Sequence, residues 1–264
     1  MSTMFLIESS YRSMAGHPSL IDEKISIPAV TGSGSRIRLR ELLEKSLSTC
    51  TSTIISGRAG TGKTTLALDF AKNSGIPVAW YKVDAPEAEI TSFFQYLIGS
   101  IQRVRPHFGG KVLIPLTKTA DHSQISRLAE AFLYELVEDE SHRLLIVIED
   151  LHLVFDSEWL VPFLHRVLPL LPTEVHLIIT SRTVPPAPLW RMRSKQTLSV
   201  IDEATLAFTR PEAIELFECF GLTSEEASVA LDHTHGRAGA LIRIATDLAQ
   251  KESSQRISSV AYVA

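Results

Sequence analysis

The sequence predicts an α/β fold: a five-stranded parallel sheet with helices on both faces, followed by a small C-terminal helical lid. Three observations carry this. Short β-branched or aliphatic runs recur at 52–56, 78–83, 144–148, 175–180 and 198–201, each with the length and composition of a buried strand. Stretches with helical spacing of apolar residues separate them, and that alternation builds parallel sheets. From about residue 203 onward, helical patterns follow one another with no strand between them.

In chain order, residues 1–30 carry Gly16, Pro18 and Pro28 without sustained periodicity and read as an arm or a loosely packed extension. The Gly/Ser-rich stretch 31–35 reads as a flexible turn. A helix is expected over about 36–46, with Ile37, Leu39, Leu42 and Leu43 as its apolar positions. Its arginines 36, 38 and 40 fit either a solvated face or a border to a nucleotide base or ribose. After the first strand, Leu66, Ala67 and Phe70 mark one face of a helix that Ser74-Gly75 ends. The next strand finishes at Asp84, at the carboxyl end where open parallel sheets hold ligands. Phe93, Phe94, Leu97, Ile98 and Ile101 make an amphipathic helix ending near Pro106. A loop with Gly109-Gly110 and Pro115 follows, then a helix over about 123–138. The unbroken run 144–148 is what a central strand covered on both faces requires. Trp159, Leu160, Phe163, Leu164 and Val167 form a helix closed by Pro169 and Pro172, and the prolines at 185, 186 and 188 stiffen the loop after the fourth strand. Thr209-Arg210-Pro211-Glu212 is a capped helix start. Helices are expected at roughly 210–220, 223–233 and 238–250, with residues 235–240 as the hinge between the last two. The expected division is an arm (1–30), a core (31–202), a lid (203–250) and a weakly structured tail (251–264).

The chemistry concentrates in two places. Gly57, Arg58, Ala59, Gly60, Thr61, Gly62, Lys63, Thr64 and Thr65 fit G-x-x-x-x-G-K-[ST], between a strand and a helix. In that setting the glycines let backbone N–H groups turn toward an anion, and the helix N-terminus adds positive charge. Lys63 would reach the β/γ-phosphates of ATP, and the Thr64 hydroxyl would join the shell of Mg²⁺. The pattern thus predicts a P-loop NTPase. The second place is Glu149-Asp150, two acids at the carboxyl end of the apolar run. One acid there can hold Mg²⁺ and its neighbour can polarise the attacking water. Ser181-Arg182 ends the following strand, where a cation can read a γ-phosphate or be an ordinary surface arginine.

Composition narrows the classes. Hydrophobic residues make up 45% and charged residues 21%, as in an ordinary globular protein. A net charge of −4 argues against a surface built to grip nucleic acid. Cys50 and Cys219 have no paired spacing, which gives neither a metal nor a disulfide framework. The apolar start at 4–7 has no basic leader and no run is long enough to span a bilayer, so a cytoplasmic protein without membrane contact is expected.

Several stretches together resemble a known family: Gly-Arg-Ala-Gly-Thr-Gly-Lys-Thr-Thr, Val-Ala-Trp-Tyr-Lys-Val-Asp, Ile-Glu-Asp-Leu-His-Leu-Val, Thr-Ser-Arg and Phe-Thr-Arg-Pro-Glu-Ala. Over about residues 30–250 the chain is similar to the nucleotide-binding part of STAND signal-transduction ATPases, which are AAA+-like. Within them it resembles the maltose-regulon-activator branch and the large ATP-binding LuxR-type transcription regulators. The resemblance implies an ATP-driven switch, a closed monomer with ADP and able to self-associate with ATP and an inducer. The longer Glu149 in place of the family's usual Asp leads to an expectation of slow or differently arranged hydrolysis. The resemblance makes Arg182 the γ-phosphate sensor and gives Glu149 the Mg²⁺ position, with Asp150 beside it. Two departures stand out. The family usually has Asp first in the acid pair, and it often has Gly-Trp-Pro where this chain has Gly236-Arg237-Ala238. Typical members continue to a helical-repeat sensor and a DNA-binding helix-turn-helix. The acidic segment 222–226 faintly echoes the start of such a motif but reads as lid, so no specific DNA binding by this chain is expected. The rival readings are a small-molecule P-loop kinase, with Asp84 holding the acceptor hydroxyl, and an ATP-driven motor or loader.

Overall fold

The computed structural model describes residues 20–29, 36–119, 122–138, 143–187 and 189–261, with side chains through residue 251 (that of residue 122 excepted). The expectations for residues 1–19, for the turn at 31–35 and for Pro188 lie outside the described residues. The expected strands form β1 (Ser52–Ser56), β2 (Val78–Lys82), β3 (Leu144–Glu149), β4 (Val175–Ser181) and β5 (Leu198–Ile201). They pair in one five-stranded sheet in the order β2-β3-β4-β1-β5, and every pairing is parallel. β4 therefore lies between β1 and β3.

The alternation of side chains along each strand divides the core between two layers. Ile54, Leu144, Ile146 and Ile148 face α3 (Ile90–Gln102), α5 (Ile125–Glu138) and α6 (Leu160–Val167). An edge-to-face aromatic group of Phe93, Phe94, Phe132 and Phe163 fills that layer. Ile55, Leu145 and Val147 face the opposite way, onto α1 (Ile37–Thr49) and α2 (Lys63–Asn73). After α8 (Glu203–Leu206) come α9 (Arg210–Cys219), α10 (Ser224–Thr234) and α11 (Ala238–Ala261). These last three helices share a separate core of Phe217, Leu222, Ala227, Ala230, Leu241 and Ala245.

Several local readings change. The stretch read as a loop around Pro115 contains the short helix α4 (Leu113–Thr117), with the proline in its first turn, where a missing N–H costs nothing. The buried Glu135 carboxylate organises its entry by accepting the N–H groups of Gly109, Lys111, Val112 and Leu113. A further short helix, α7 (Trp190–Ser194), follows the proline loop. Within residues 20–29, Ile25 is buried, and Lys24 pairs with Glu87 at 2.9 Å and Asp84 at 3.4 Å, while residues 21–23, 27 and 29 are exposed. α11 continues past residue 250, where no glycine or proline interrupts it.

Of the three arginines at the start of α1, Arg40 pairs with Glu44 at 3.6 Å one turn along the helix, while Arg36 and Arg38 reach the helical part. Arg36 donates to Leu206 O, Ala207 O and Glu212, and Arg38 donates to Thr205 O, Ala207 O and Glu212. Arg36 also lies 4.0 Å from the centre of the Phe208 ring. Their charges fasten α1 to the start of the helical part.

Candidate functional site

The phosphate loop leaves β1 beside β4, where Gly57 N–H donates to Ser181 O at 3.2 Å. Gly62 enters α2 with φ +93°, a backbone that side chains rarely adopt, so the turn into the helix depends on glycine there. Lys63 opens α2 and is buried. Its ammonium donates to Gly57 O at 2.6 Å and Arg58 O at 3.0 Å, which lays the side chain across the loop. Burial pulls the Lys63 pKa down; the Asp150 charge opposes this and the Arg182 charge adds to it. Thr61 Oγ1 donates to Arg58 O at 2.9 Å and closes the loop on itself.

β3 brings the acids to the same end of the sheet. Glu149 is 4% exposed. Thr64 Oγ1 donates to Glu149 Oε1 at 2.6 Å, and the Trp80 indole donates to Oε2 at 3.3 Å. Asp150 takes the left-handed backbone (φ 58°) and its N–H donates to Thr180 Oγ1 at 3.1 Å. His152 follows in a single 3₁₀ turn, Leu151–Val154, with Nδ1 3.8 Å from Asp150 Oδ1. Neither of its buried ring nitrogens has a hydrogen-bond partner among the described residues. Burial lowers the His152 pKa; Asp150 works against that and Arg182 and Lys63 add to it. Arg182 is exposed at the end of β4, and its charge acts on both Lys63 and His152. Lys63, Thr64, Glu149, Asp150 and Arg182 thus meet at one mouth of the sheet.

Asp84 has a different occupation from the one expected of it. Its carboxylate accepts from Ala85 N at 2.8 Å and forms a reciprocal cap with Glu87 on the turn Ala85–Ala88. It also pairs with Lys24. Asp84 stabilises the end of β2, which is an edge strand.

The helical part presses on the phosphate loop from outside. Arg58 pairs with Glu203 at 2.6 Å. The Arg237 guanidinium donates to Ala59 O, and Gly239 N–H donates to Gly60 O at 2.8 Å. A cavity of about 400 Å³ opens beside Gly62 and Thr65, between α1 and α9, with Ile37, Phe208 and Ile242 in its walls. That is the size and apolar character of a small-molecule site. Glu203 and Arg237 carry no motif signal, while Trp80 and Phe208 lie in stretches that carry the resemblance but with no role in the site attached to them. Only the departure at Gly236-Arg237-Ala238 could have drawn attention to Arg237.

The donor set suits Mg²⁺. A hydroxyl and a carboxylate meet at a phosphate loop, and this hard cation takes one or two protein oxygens and completes its shell with phosphates and water. Among the described residues no group of three or more His, Cys, Asp or Glu side chains could hold a metal ion alone. The glycine loop, the buried lysine and the adjoining cavity fit a nucleoside polyphosphate in the same way.

This sheet order and this set of residues define a P-loop NTPase of the AAA+/STAND fold class. No family model matches the chain. In sequence it is similar to the HTH-type transcriptional regulator MalT of Serratia proteamaculans, with 31% identity over 251 residues, covering 91% of this chain and 26% of the regulator. MalT of Yersinia enterocolitica matches at 30% over 248 residues, again 91% of this chain and 26% of the relative. The chain therefore spans about a quarter of the length of the curated relatives it matches. In structure it is similar to a signal transduction ATPase with numerous domains (STAND) with a tetratricopeptide repeat sensor, from Pyrococcus horikoshii. The TM-score is 0.55 at 18% identity, covering 82% of this chain and 30% of the other. Among the described residues no helix is long and apolar enough to cross a membrane.

Proposed function

We propose that this chain is the ATP-binding, slowly ATP-hydrolysing switch module of a MalT-like transcription regulator. The observation that carries the reading is the 2.6 Å contact between Thr64 Oγ1 and Glu149 Oε1. It joins the phosphate loop to the acidic strand end, as a Mg²⁺–nucleotide site requires. Lys63 holds the β/γ-phosphates with the loop amides of residues 57–65, and Thr64 and Glu149 hold Mg²⁺, which supplies charge neutralisation when bound. Asp150 orients and polarises the attacking water, and Arg182 meets the γ-phosphate. The base lies in the cavity between Ile37 and Phe208, so the basic start of α1 borders the base or ribose through its fold rather than through its charges. Residues 31–202 act as the core and 203–250 as a lid whose Arg58–Glu203 and Arg237–Ala59 contacts report on the loop. Residues 1–30 serve as an arm and 251–264 as a tail. The working state is cytoplasmic, with ATP or ADP as ligand, self-association under ATP, and no specific DNA binding by this chain.

The kinase alternative loses support because Asp84 is engaged by its cap and by Lys24. Calorimetry tests the site. Lys63→Ala should weaken ADP and ATP binding by at least about a hundredfold, ~2.7 kcal/mol. Equal affinity in the variant would remove the assignment.

A further inference from the structure

We infer that Trp80 is a positioning residue for the divalent-cation carboxylate: its indole N–H holds one oxygen of Glu149 so that the other is aimed at Thr64. This rests on the nucleotide reading above and gives a role to a residue for which the motifs supply none.

Trp80 lies on β2, paired with Val147, while Lys82 two residues on is paired with Glu149. Residues two apart on a strand share a face, so Trp80 and Glu149 project into the same layer, under α2. There Trp80 is 1% exposed and packs with Leu66, Ala67 and Phe70. An indole has a single donor and no acceptor, and a buried donor needs a partner. The partner is Glu149 Oε2, at 3.3 Å, while Oε1 accepts from Thr64 at 2.6 Å. The two oxygens of one carboxylate are thus held apart in role. One is anchored to the core, and the other is presented to the loop.

The arrangement also accounts for glutamate where the resembled family usually has aspartate. A longer side chain has an additional rotatable bond and needs an additional anchor to point reproducibly. The buried indole provides it. Shortening the side chain by one methylene, about 1.5 Å, would withdraw the carboxylate from both partners. Partners that orient a metal ligand are typically worth 10–100-fold in metal affinity.

Trp80→Phe keeps an aromatic ring in the core and removes the N–H. Calorimetric titration of ADP in EDTA, followed by Mg²⁺ titration of the ADP complex, separates nucleotide from metal. The expected result is Mg²⁺-free ADP affinity within twofold of wild type and a Mg²⁺ half-saturation raised about 10–100-fold. An unchanged Mg²⁺ requirement would overturn the inference and leave the nucleotide site standing. Should the variant fail to fold, the wild-type indole ¹⁵N–¹H resonance of Trp80 decides, assigned by elimination with Trp159→Phe and Trp190→Phe. It should move when Mg²⁺ joins the ADP complex, and a resonance indifferent to Mg²⁺ counts against the proposal. Wild-type protein that binds no nucleotide with or without Mg²⁺ would bring down both readings together.

Discussion

His176 illustrates how much a single buried side chain can decide. It lies on β4, is 3% exposed, and is bonded to Thr53 Oγ1 at 2.9 Å and Cys50 O at 3.1 Å. Burial drives its pKa down to about 4 from 6.5, against the opposing bond to Cys50. Below about pH 6.5 the unfolded chain takes up a proton that the folded chain refuses until about pH 4, so stability falls with acidification across that window and levels off beneath it. The expected loss between pH 7 and pH 5 is about 2 kcal/mol. Urea unfolding at the two pH values checks it, and a His176→Gln variant should show a flatter response. The candidate-site residues are also legible one by one. The roles proposed for Lys63 and Thr64 follow from residue type and spacing, because the glycine loop must come just before a helix, whereas that of Glu149 within the acid pair comes from the family resemblance. Trp80 lies in a stretch that carries the family resemblance, but its part in the site was not legible, since an aromatic residue in a strand by itself signals core.

At the scale of elements, α9 is held by an acid with two duties. Glu212 completes the reciprocal cap on Thr209 and receives Arg36 at 2.9 Å and Arg38 at 3.2 Å from α1. Burial pushes its carboxyl up, but the bonds from Arg36, Arg38 and Thr209 N–H outweigh this and hold it at about 2. Glu212→Ala removes the cap and leaves two half-buried guanidinium groups without their carboxylate. We expect about 2–3 kcal/mol of lost stability in urea unfolding. Glu218→Ala, at an exposed position on the same helix, should stay within about 0.5 kcal/mol. The cap was legible in Thr-Arg-Pro-Glu. The attachment to α1 was not, because nothing local to either helix names a partner on the other. Gly236 makes the same point: it has φ +75°, and a Cβ there would lie 2.7 Å from Phe208 O, so the turn before α11 is shaped by a strand of backbone distant in sequence.

For the whole molecule, the helical part has its own apolar core and reaches the sheet through Leu206, buried in the layer under α1 and α2, and, around the phosphate loop and α1, through polar contacts. These are Arg58–Glu203, Arg237–Ala59, Gly239–Gly60 and the Arg36/Arg38–Glu212 clamp. Polar contacts at a phosphate loop exchange readily with a charged ligand, whereas an apolar interface would not. The proposed switch therefore predicts a change in assembly with nucleotide. In size-exclusion chromatography the chain should elute as a monomer with ADP and as a dimer or larger species with a slowly hydrolysed ATP analogue. Identical elution in both would rule out nucleotide-driven self-association of this chain.

From the sequence alone, the strands, the phosphate loop, the acid pair and the succession of C-terminal helices were all determined. Each rests on a local rule: burial on both faces of a strand, glycine where φ is positive, apolar periodicity in a helix. Only the tertiary structure decided that β4 inserts between β1 and β3, which brings its end, just before Arg182, between the strands that lead to the loop and to the acids. It likewise decided that Asp84 caps a turn, that the α1 arginines grip Glu212, and that Trp80 holds Glu149. Strand order and side-chain partnership are long-range choices, made by which surfaces bury best together, and local periodicity carries no record of them.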